Sequence, residues 1–375
     1  MRLTRLIALV SMLLLFVPSF LAIDTLPRTL SDDAFWRMVS DFSEESGSFR
    51  SEYMSNEREF QFVIPRLKEM TKPGGVYLGV GPEQNFTYIA AIQPKIAFIF
   101  DIRRGNMLEH LMYKAIFEMS PNRADFVSRL FSRKPASGLN DQSTATALFQ
   151  AFRASEPDSQ LFKQNLQAIK EHLTRAHSFK LTADDQAAID DVYETLFRVG
   201  PGISYPGGGF GGFGGFGGGA SYAGLMAATD ERGQARSYLA TEENFRFVRE
   251  MERNNVIVPV VGDFAGPKAL RTVAKYLKDH DATVTAFYTS NVEQYLFQQG
   301  DDWRHFLSNV ATFPLDSSST FIRSPHFSYD RAVQLPSRQL SGGNFISLLC
   351  PMKDLVTAFN AGRIQGYEQV IRMSR

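Results

Sequence analysis

The sequence predicts an α/β fold: a Rossmann-like, doubly wound, mostly parallel sheet with a helical N-terminal extension and a large helical, Gly-rich insertion. Three observations carry this expectation. Strand–helix–strand patterns occur at 75–101 and 256–291, and strands joined through a helix must lie parallel. Each strand body is apolar, while each strand end is polar or glycine-rich. Between the two patterns, residues 134–240 read as helices around a glycine run.

The elements follow in order. MRLTRLIALVSMLLLFVPSFLAID reads as a targeting segment over 1–22, with Arg2 and Arg5 ahead of an apolar core from Leu6 to Val17. That core has signal-peptide length and is short for a bilayer span. Ala22 is the candidate cleavage point, with a bulky Phe20 at the third position back; the alternative is an uncleaved anchor. The expected location is therefore periplasmic or extracellular, or else anchored to the inner membrane. The helical extension, 23–70, holds a helix capped by Ser31, with Phe35, Val39 and Phe42 on one face. A second helix is expected around Glu57 to Met70, with Phe60, Val63 and Leu67 on one face.

The first half of the sheet domain, 71–133, is predicted to contain a strand at Gly75 to Leu78, a helix at Glu83 to Ile92 and a strand at Ile96 to Asp101. A helix through Leu108, Leu111, Met112, Ala115 and Phe117 follows, then one with Ser120 as cap and Pro121 at its first position. In the insertion, 134–240, Thr182 and Asp185 form a capping-box pair, and Ile189, Val192 and Leu196 form the stripe behind it. Ten glycines lie between Gly207 and Gly219, and ordering them costs too much backbone entropy for a helix or strand, so 206–220 is expected to be a flexible loop.

The second half, 241–375, begins with a helix capped by Thr241 and a strand at Val256 to Val261. The next helix has Pro267 near its start and buries Leu270, Val273, Ala274 and Leu277. A strand ends at Tyr288 to Asn291, and Ser290 with Glu293 matches the capping box of the following helix. Trp303, Phe306, Leu307 and Val310 mark one more helix, and Phe321-Ile322 and Phe345 to Leu349 look like late strands.

Composition narrows the function. Of 375 residues, 44% are apolar and 21% charged, which suits a globular protein with a real core. Lys+Arg and Asp+Glu are equal at 40, so no global field attracts nucleic acid or anionic lipid. No nucleic-acid partner is expected, and membrane contact only through the N-terminal segment. The single cysteine, Cys350, rules out an intrachain disulfide and reads as a buried inert thiol.

Ligands of such sheets bind outside the carboxyl ends of the strands. The predicted ends are Gly79-Val80-Gly81-Pro82-Glu83, Asp101-Ile102-Arg103, Gly262-Asp263-Phe264 and Tyr288-Thr289-Ser290-Asn291. Gly79 and Gly81 let the backbone turn sharply and a ligand approach, or serve a plain turn. Asp101, 20 residues beyond Gly81, is placed to accept from both ribose hydroxyls, or instead to cap a loop or pair with Arg103. Asp263 suits the exocyclic amine of adenine, or caps the helix near Pro267. Tyr288 and Asn291 are candidates to line a substrate pocket, against simple loop packing. Glu243 is a candidate base, against a solvated first-turn acid. The six histidines, His172 and His177 among them, show no HExxH and no pairing that predicts a metal site. No G-x-S-x-G elbow or Walker loop occurs. Asn85-Phe86-Thr87 matches a glycosylation sequon inside an expected core helix, a chance match.

YLGVGPE after the first strand, FIFDIR at the second, VVGDF at the third and AFYTSN at the fourth carry a resemblance. The chain resembles the class I S-adenosylmethionine-dependent methyltransferase superfamily over about half its length, 71–133 and 241–325. In that family the same order gives the cofactor loop, the ribose acid, the adenine-side acid and the end of the catalytic strand. The resemblance implies S-adenosylmethionine bound by Gly79, Gly81, Glu83, Asp101 and Asp263, with Tyr288, Asn291 and Glu243 left as candidates for catalysis. Two positions depart on the methionyl side: Tyr77 stands where an acid is usual, and Glu83 replaces the loop's third glycine. A dinucleotide site fits less well, because the sixth position of its glycine pattern is Gln84. GDFAGPKALR and FYTSNVEQYL also resemble an uncharacterised bacterial family, which implies no activity.

The expected function is a methyltransferase-like protein binding S-adenosylmethionine or a related adenosine ligand, acceptor unknown. The alternative is a non-catalytic exported or envelope-associated binding or interaction protein on a degenerate fold. It follows from the leader, since a charged cofactor made inside cells crosses bilayers poorly.

Overall fold

Six strands form one sheet in the order β3-β2-β1-β4-β5-β6. They are β1 (Val76–Val80), β2 (Ile96–Asp101), β3 (Ile257–Val261), β4 (Val284–Ser290), β5 (Thr320–Arg323) and β6 (Leu348–Pro351). The first five run parallel, and β6 lies antiparallel against β5. The fold is thus α/β with a mostly parallel sheet. The computed structural model describes residues 24–49, 53–134, 137–153, 155–204, 221–326 and 345–374. The leader, 1–22, and the Gly/Phe segment, 206–220, lie outside the described residues.

The helices are α1 (Asp32–Phe42), α2 (Ile64–Met70), α3 (Gln84–Ile92), α4 (Arg104–Met119), α5 (Arg123–Phe131), α6 (Ala145–Arg153), α7 (Ser159–Glu171), α8 (Ala183–Val199) and α9 (Tyr222–Ala227). After them come α10 (Glu242–Arg253), α11 (Ala269–Asp279), α12 (Val292–Leu296), α13 (Asp302–Val310), α14 (Met352–Asn360) and α15 (Tyr367–Arg372). A π turn, His172–Ala176, continues α7. Every residue of β1, β2 and β3 is buried, because helices cover both faces of the sheet. One group packs α3 and α4 against α10, with α4 on β2 and β3; the other packs α1 on β3 and links α1, α11, α13 and α14. Among the described residues no helix is long and apolar enough to cross a membrane.

Local signals hold where the partner is close in sequence. Ser31 caps α1, Thr241 caps α10, and Thr182 and Asp185 form the capping box of α8. Four expectations are corrected. The helix expected from Glu57 begins at Ile64, with Pro65 in its first turn, because Glu57 is drawn into the sheet's carboxyl end. Asn122, not Ser120, caps α5 by accepting from Asp125, and Ser120 instead closes α4. The helix after β3 starts at Ala269, and its first amides are not capped by Asp263. Ser290 and Glu293 form no capping box, because both side chains turn to distant partners. Cys350 is fully buried on β6, as an inert thiol should be.

Candidate functional site

β1 delivers the glycine loop to the carboxyl end of the sheet. Gly81 has φ +75°, which suits glycine, and no described atom lies within 4 Å of a Cβ built there. Gly79 is glycine for a different reason: a Cβ would sit 1.9 Å from Asn85 Oδ1. The Asn85 amide nitrogen donates to the carbonyls of Val80 (3.0 Å), Gly81 (3.1 Å) and Pro82 (2.7 Å). Its oxygen accepts from the Tyr77 hydroxyl at 2.8 Å. The loop is therefore braced from inside by the residue of the apparent sequon, which is fully buried. Glu83, next in the loop, accepts from the Ser55 amide at 3.1 Å, and burial pushes its carboxyl up to about 8. At neutral pH it holds a proton.

A second carboxyl lies at the ends of β1 and β4. Glu57, 2% exposed, accepts from the Tyr288 hydroxyl (2.8 Å), the Gln84 amide (2.8 Å) and the hydroxyls of Ser290 and Ser324. Burial raises its pKa, and these four hydrogen bonds oppose the rise. A buried acid ringed by hydroxyls is the kind of group that functional sites tune. Sequence reasoning missed Glu57. Tyr288, Ser290 and Ser324 lie 231, 233 and 267 residues away, so no local pattern marks it.

The end of β2 places Asp101 against Arg103. Arg103 Nε donates to Oδ1 at 3.0 Å and Nη2 to Oδ2 at 2.9 Å, so both carboxylate oxygens are engaged by the same guanidinium. Asp263, at the end of β3, accepts from the Ala265 amide at 2.9 Å in a local turn, and burial raises its pKa. The first amides of α11 go to Glu44, which accepts from Lys268 (2.8 Å) and Ala269 (2.6 Å). Gly266 leaves the room, since a Cβ there would lie 2.2 Å from the Glu44 carboxylate. Asn291 takes the N-cap position of α12 without a side-chain cap bond. Glu243 is exposed in the first turn of α10, which is its plain reading.

Two further residues were also missed, and one of them meets the loop at Gly81. Asn106 and His110 lie four apart on α4, hence on one face, and are 1% and 2% exposed. His110 Nε2–H donates to the Gly81 carbonyl at 2.9 Å, leaving Nδ1 as an acceptor without a partner. Burial pushes the ring down to about 4, against that bond and the Asp101 charge, so it is neutral at pH 7. Among the described residues, neither the nitrogen nor the oxygen of the Asn106 amide has a partner. Leaving such groups buried and unpaired costs about 1–3 kcal/mol each. A donor and two acceptors thus lie buried on one face of α4, and no described atom lies within 4 Å of a Cβ built on Gly105.

Spacing in the sequence does not pair the histidines, but the fold brings two of them together. His172 and His177 meet on Glu118, with the three ligand atoms all within 4.8 Å of one another. No curated protein matches this chain. One family model matches residues 53–195 and 220–352, stretches that hold Glu57, the glycine loop, Asn106, His110 and all six strands. With most of its length matched, the chain belongs to the family described as Domain of unknown function (DUF7790).

Proposed function

We propose that the chain binds a small polar ligand of the adenosine type, S-adenosylmethionine or a relative, at the carboxyl ends of β1 and β2 on a Rossmann-like, methyltransferase-like sheet. The observation behind this is the unpaired face of α4. Asn106 offers a donor and an acceptor and His110 Nδ1 an acceptor, all buried on the face of α4 from which His110 reaches Gly81. Adenosine presents an exocyclic amine, ring nitrogens and hydroxyls, which complement that set. The strand order supports the reading. The chain runs outward from β1 to β3, then returns to place β4 on the other side of β1, and ligands of open sheets bind at such a switch point. Asp101 serves the ribose only if Arg103 gives way.

The second reading, a non-catalytic exported or envelope-associated binding or interaction protein on a degenerate fold, is favoured by a specific observation. The methionyl side is filled by the chain itself: Asn85 and Tyr77 brace the loop, and Glu83 is held by Ser55. Calorimetry separates the two. In the first reading S-adenosylmethionine or S-adenosylhomocysteine binds one-to-one, and Asn106→Ala weakens binding about tenfold, the worth of one hydrogen bond. If adenosine binds and both methionyl compounds do not, methyl transfer is ruled out and the second reading stands. If none of the three binds, the adenosine proposal fails.

A further inference from the structure

We propose that Glu118, His172 and His177 form a binding site for a divalent transition cation of the zinc class, with Asp32 as the outer carboxylate that orients His177. The site lies away from the glycine loop, at the last turn of α4, where the π turn after α7 and the start of α1 meet.

The geometry is convergent. His172 Nε2 and His177 Nε2 lie 2.6 and 2.7 Å from the same oxygen, Glu118 Oε2. The rings stand nearly perpendicular, at 84°, with centroids 5.0 Å apart. Residues five apart on an α-helix point about 140° away from each other. Here a π turn, closed by the His177 amide on the His172 carbonyl at 3.1 Å, brings them to one side. Single π turns occur frequently at functional sites. Two imidazoles and one carboxylate are a donor set that zinc-class cations take, and three protein ligands leave a position open.

The hydrogen bookkeeping points the same way. His177 Nδ1 lies 2.7 Å from Asp32 Oδ1, so it carries the proton and donates. Asp32 Oδ1 is held in turn by the Asn255 amide at 2.9 Å. In the neutral ring that tautomer turns the lone pair of Nε2 toward Glu118 Oε2, so either a second proton or a cation must lie between them. A carboxylate on the far nitrogen is the usual support of a metal-bound histidine. One cation takes the lone pairs of His172, His177 and Glu118 together. Metal legs of about 2.0–2.1 Å at a tetrahedral angle set each imidazole nitrogen about 3.3 Å from Oε2, an opening of about 0.6 Å for each of those two pairs.

The surroundings permit it. Lys114 pairs with the other oxygen, Glu118 Oε1, at 2.7 Å and leaves Oε2 to the histidines. Its ammonium is tied to the Glu252 carbonyl and lies 5.0 Å from the Phe35 ring centre. Glu118 and Asp32 set two carboxylates against that one ammonium. The His172 and Asp32 side chains are 25% and 40% exposed, which gives an ion a way in from solvent.

The test titrates the full chain, stripped by a chelator and then dialysed, with zinc sulfate by calorimetry. Cobalt(II) is used in parallel, for its visible spectrum. One equivalent should bind, His172→Ala should lower the affinity at least tenfold, and Asp32→Asn should lower it about tenfold. His172 is a quarter exposed, so its alanine variant tests the site even if His177→Ala fails to fold; circular dichroism checks each variant. No stoichiometric uptake by the wild type overturns the proposal. Uptake with unchanged affinity in His172→Ala overturns it equally, because the zinc is then held elsewhere. In either case His177 bonds Glu118 through a second proton and the cluster is only a charged clamp.

Discussion

Replacing Glu57 by alanine should cost about 3–5 kcal/mol of stability. The carboxylate accepts four buried hydrogen bonds, from Tyr288, Ser290, Ser324 and Gln84. Not all four donors would be stranded. Ser324 lies 3.3 Å from the Ser347 hydroxyl, and Gln84 Nε2 lies 3.3 Å from that of Tyr88, so both have a second partner in place. Tyr288 would lose its acceptor, and Ser290 would keep only Asn291 Oδ1 at 3.5 Å. A stranded Tyr288 hydroxyl at about 1–3 kcal/mol, a weakened Ser290 bond and the cavity left by one methylene and a carboxyl together give the stated range. Glu57→Gln keeps the volume and one carbonyl oxygen for Tyr288 and Ser290. Its amide would meet Ser324, whose hydroxyl can rotate to accept, and Gln84, which can flip. The expected loss is then about 1–2 kcal/mol. Urea unfolding at pH 7, followed by circular dichroism, measures both. A loss below about 1 kcal/mol for alanine would refute the network as a stabilising element. Equal losses for the two variants would refute its basis in hydrogen bonding and leave volume as the cause.

Glu83 makes stability depend on pH. Its pKa rises from 4.5 unfolded to about 8 folded, so the folded state holds the extra proton; the contribution is complete below pH 4.5 and is lost as pH climbs to about 8. Within that window each pH unit removes up to about 1.4 kcal/mol, and Glu83→Gln should flatten the urea-midpoint profile. An unchanged profile would mean that Glu83 is not the group responsible. Gly79→Ala should destabilise far more than Gly81→Ala, because the first drives a methyl into Asn85 while the second meets no described atom and bears only the strain of a positive φ, about 1 kcal/mol. Thermal melts compare them, and equal losses would contradict the bracing role of Asn85. Arg323→Ala should cost about 3–5 kcal/mol by leaving Glu293 buried and unpaired; a loss under 1 kcal/mol by urea unfolding would show the pair to be expendable.

The same contrast explains what was legible in the sequence. The two strand–helix–strand units could be read because periodicity reports burial over a few residues, and Ser31, Thr182 and Thr241 because a cap bonds within three residues. The pairing of Asp101 with Arg103 could be read, since Arg103 is two residues on. Glu57, Glu44 and the His172–His177 pair could not. Glu57 joins partners more than 200 residues away, Glu44 caps a helix from a distance of 225, and five-residue spacing suits only a π turn. Ser290 and Glu293 are the sharpest case, because the spacing matched a capping box and the side chains went elsewhere. A cap is worth about 1 kcal/mol and leaves its side chain near water. Arg323 is wholly buried, and leaving it without a carboxylate costs about 3–5 kcal/mol. Glu293 meets that larger demand, with Nη2 of Arg323 at 3.2 Å from its Oε1. Asn291 is left at the cap position of α12 with no side-chain cap bond, the arrangement expected when a buried charge outbids a helix end.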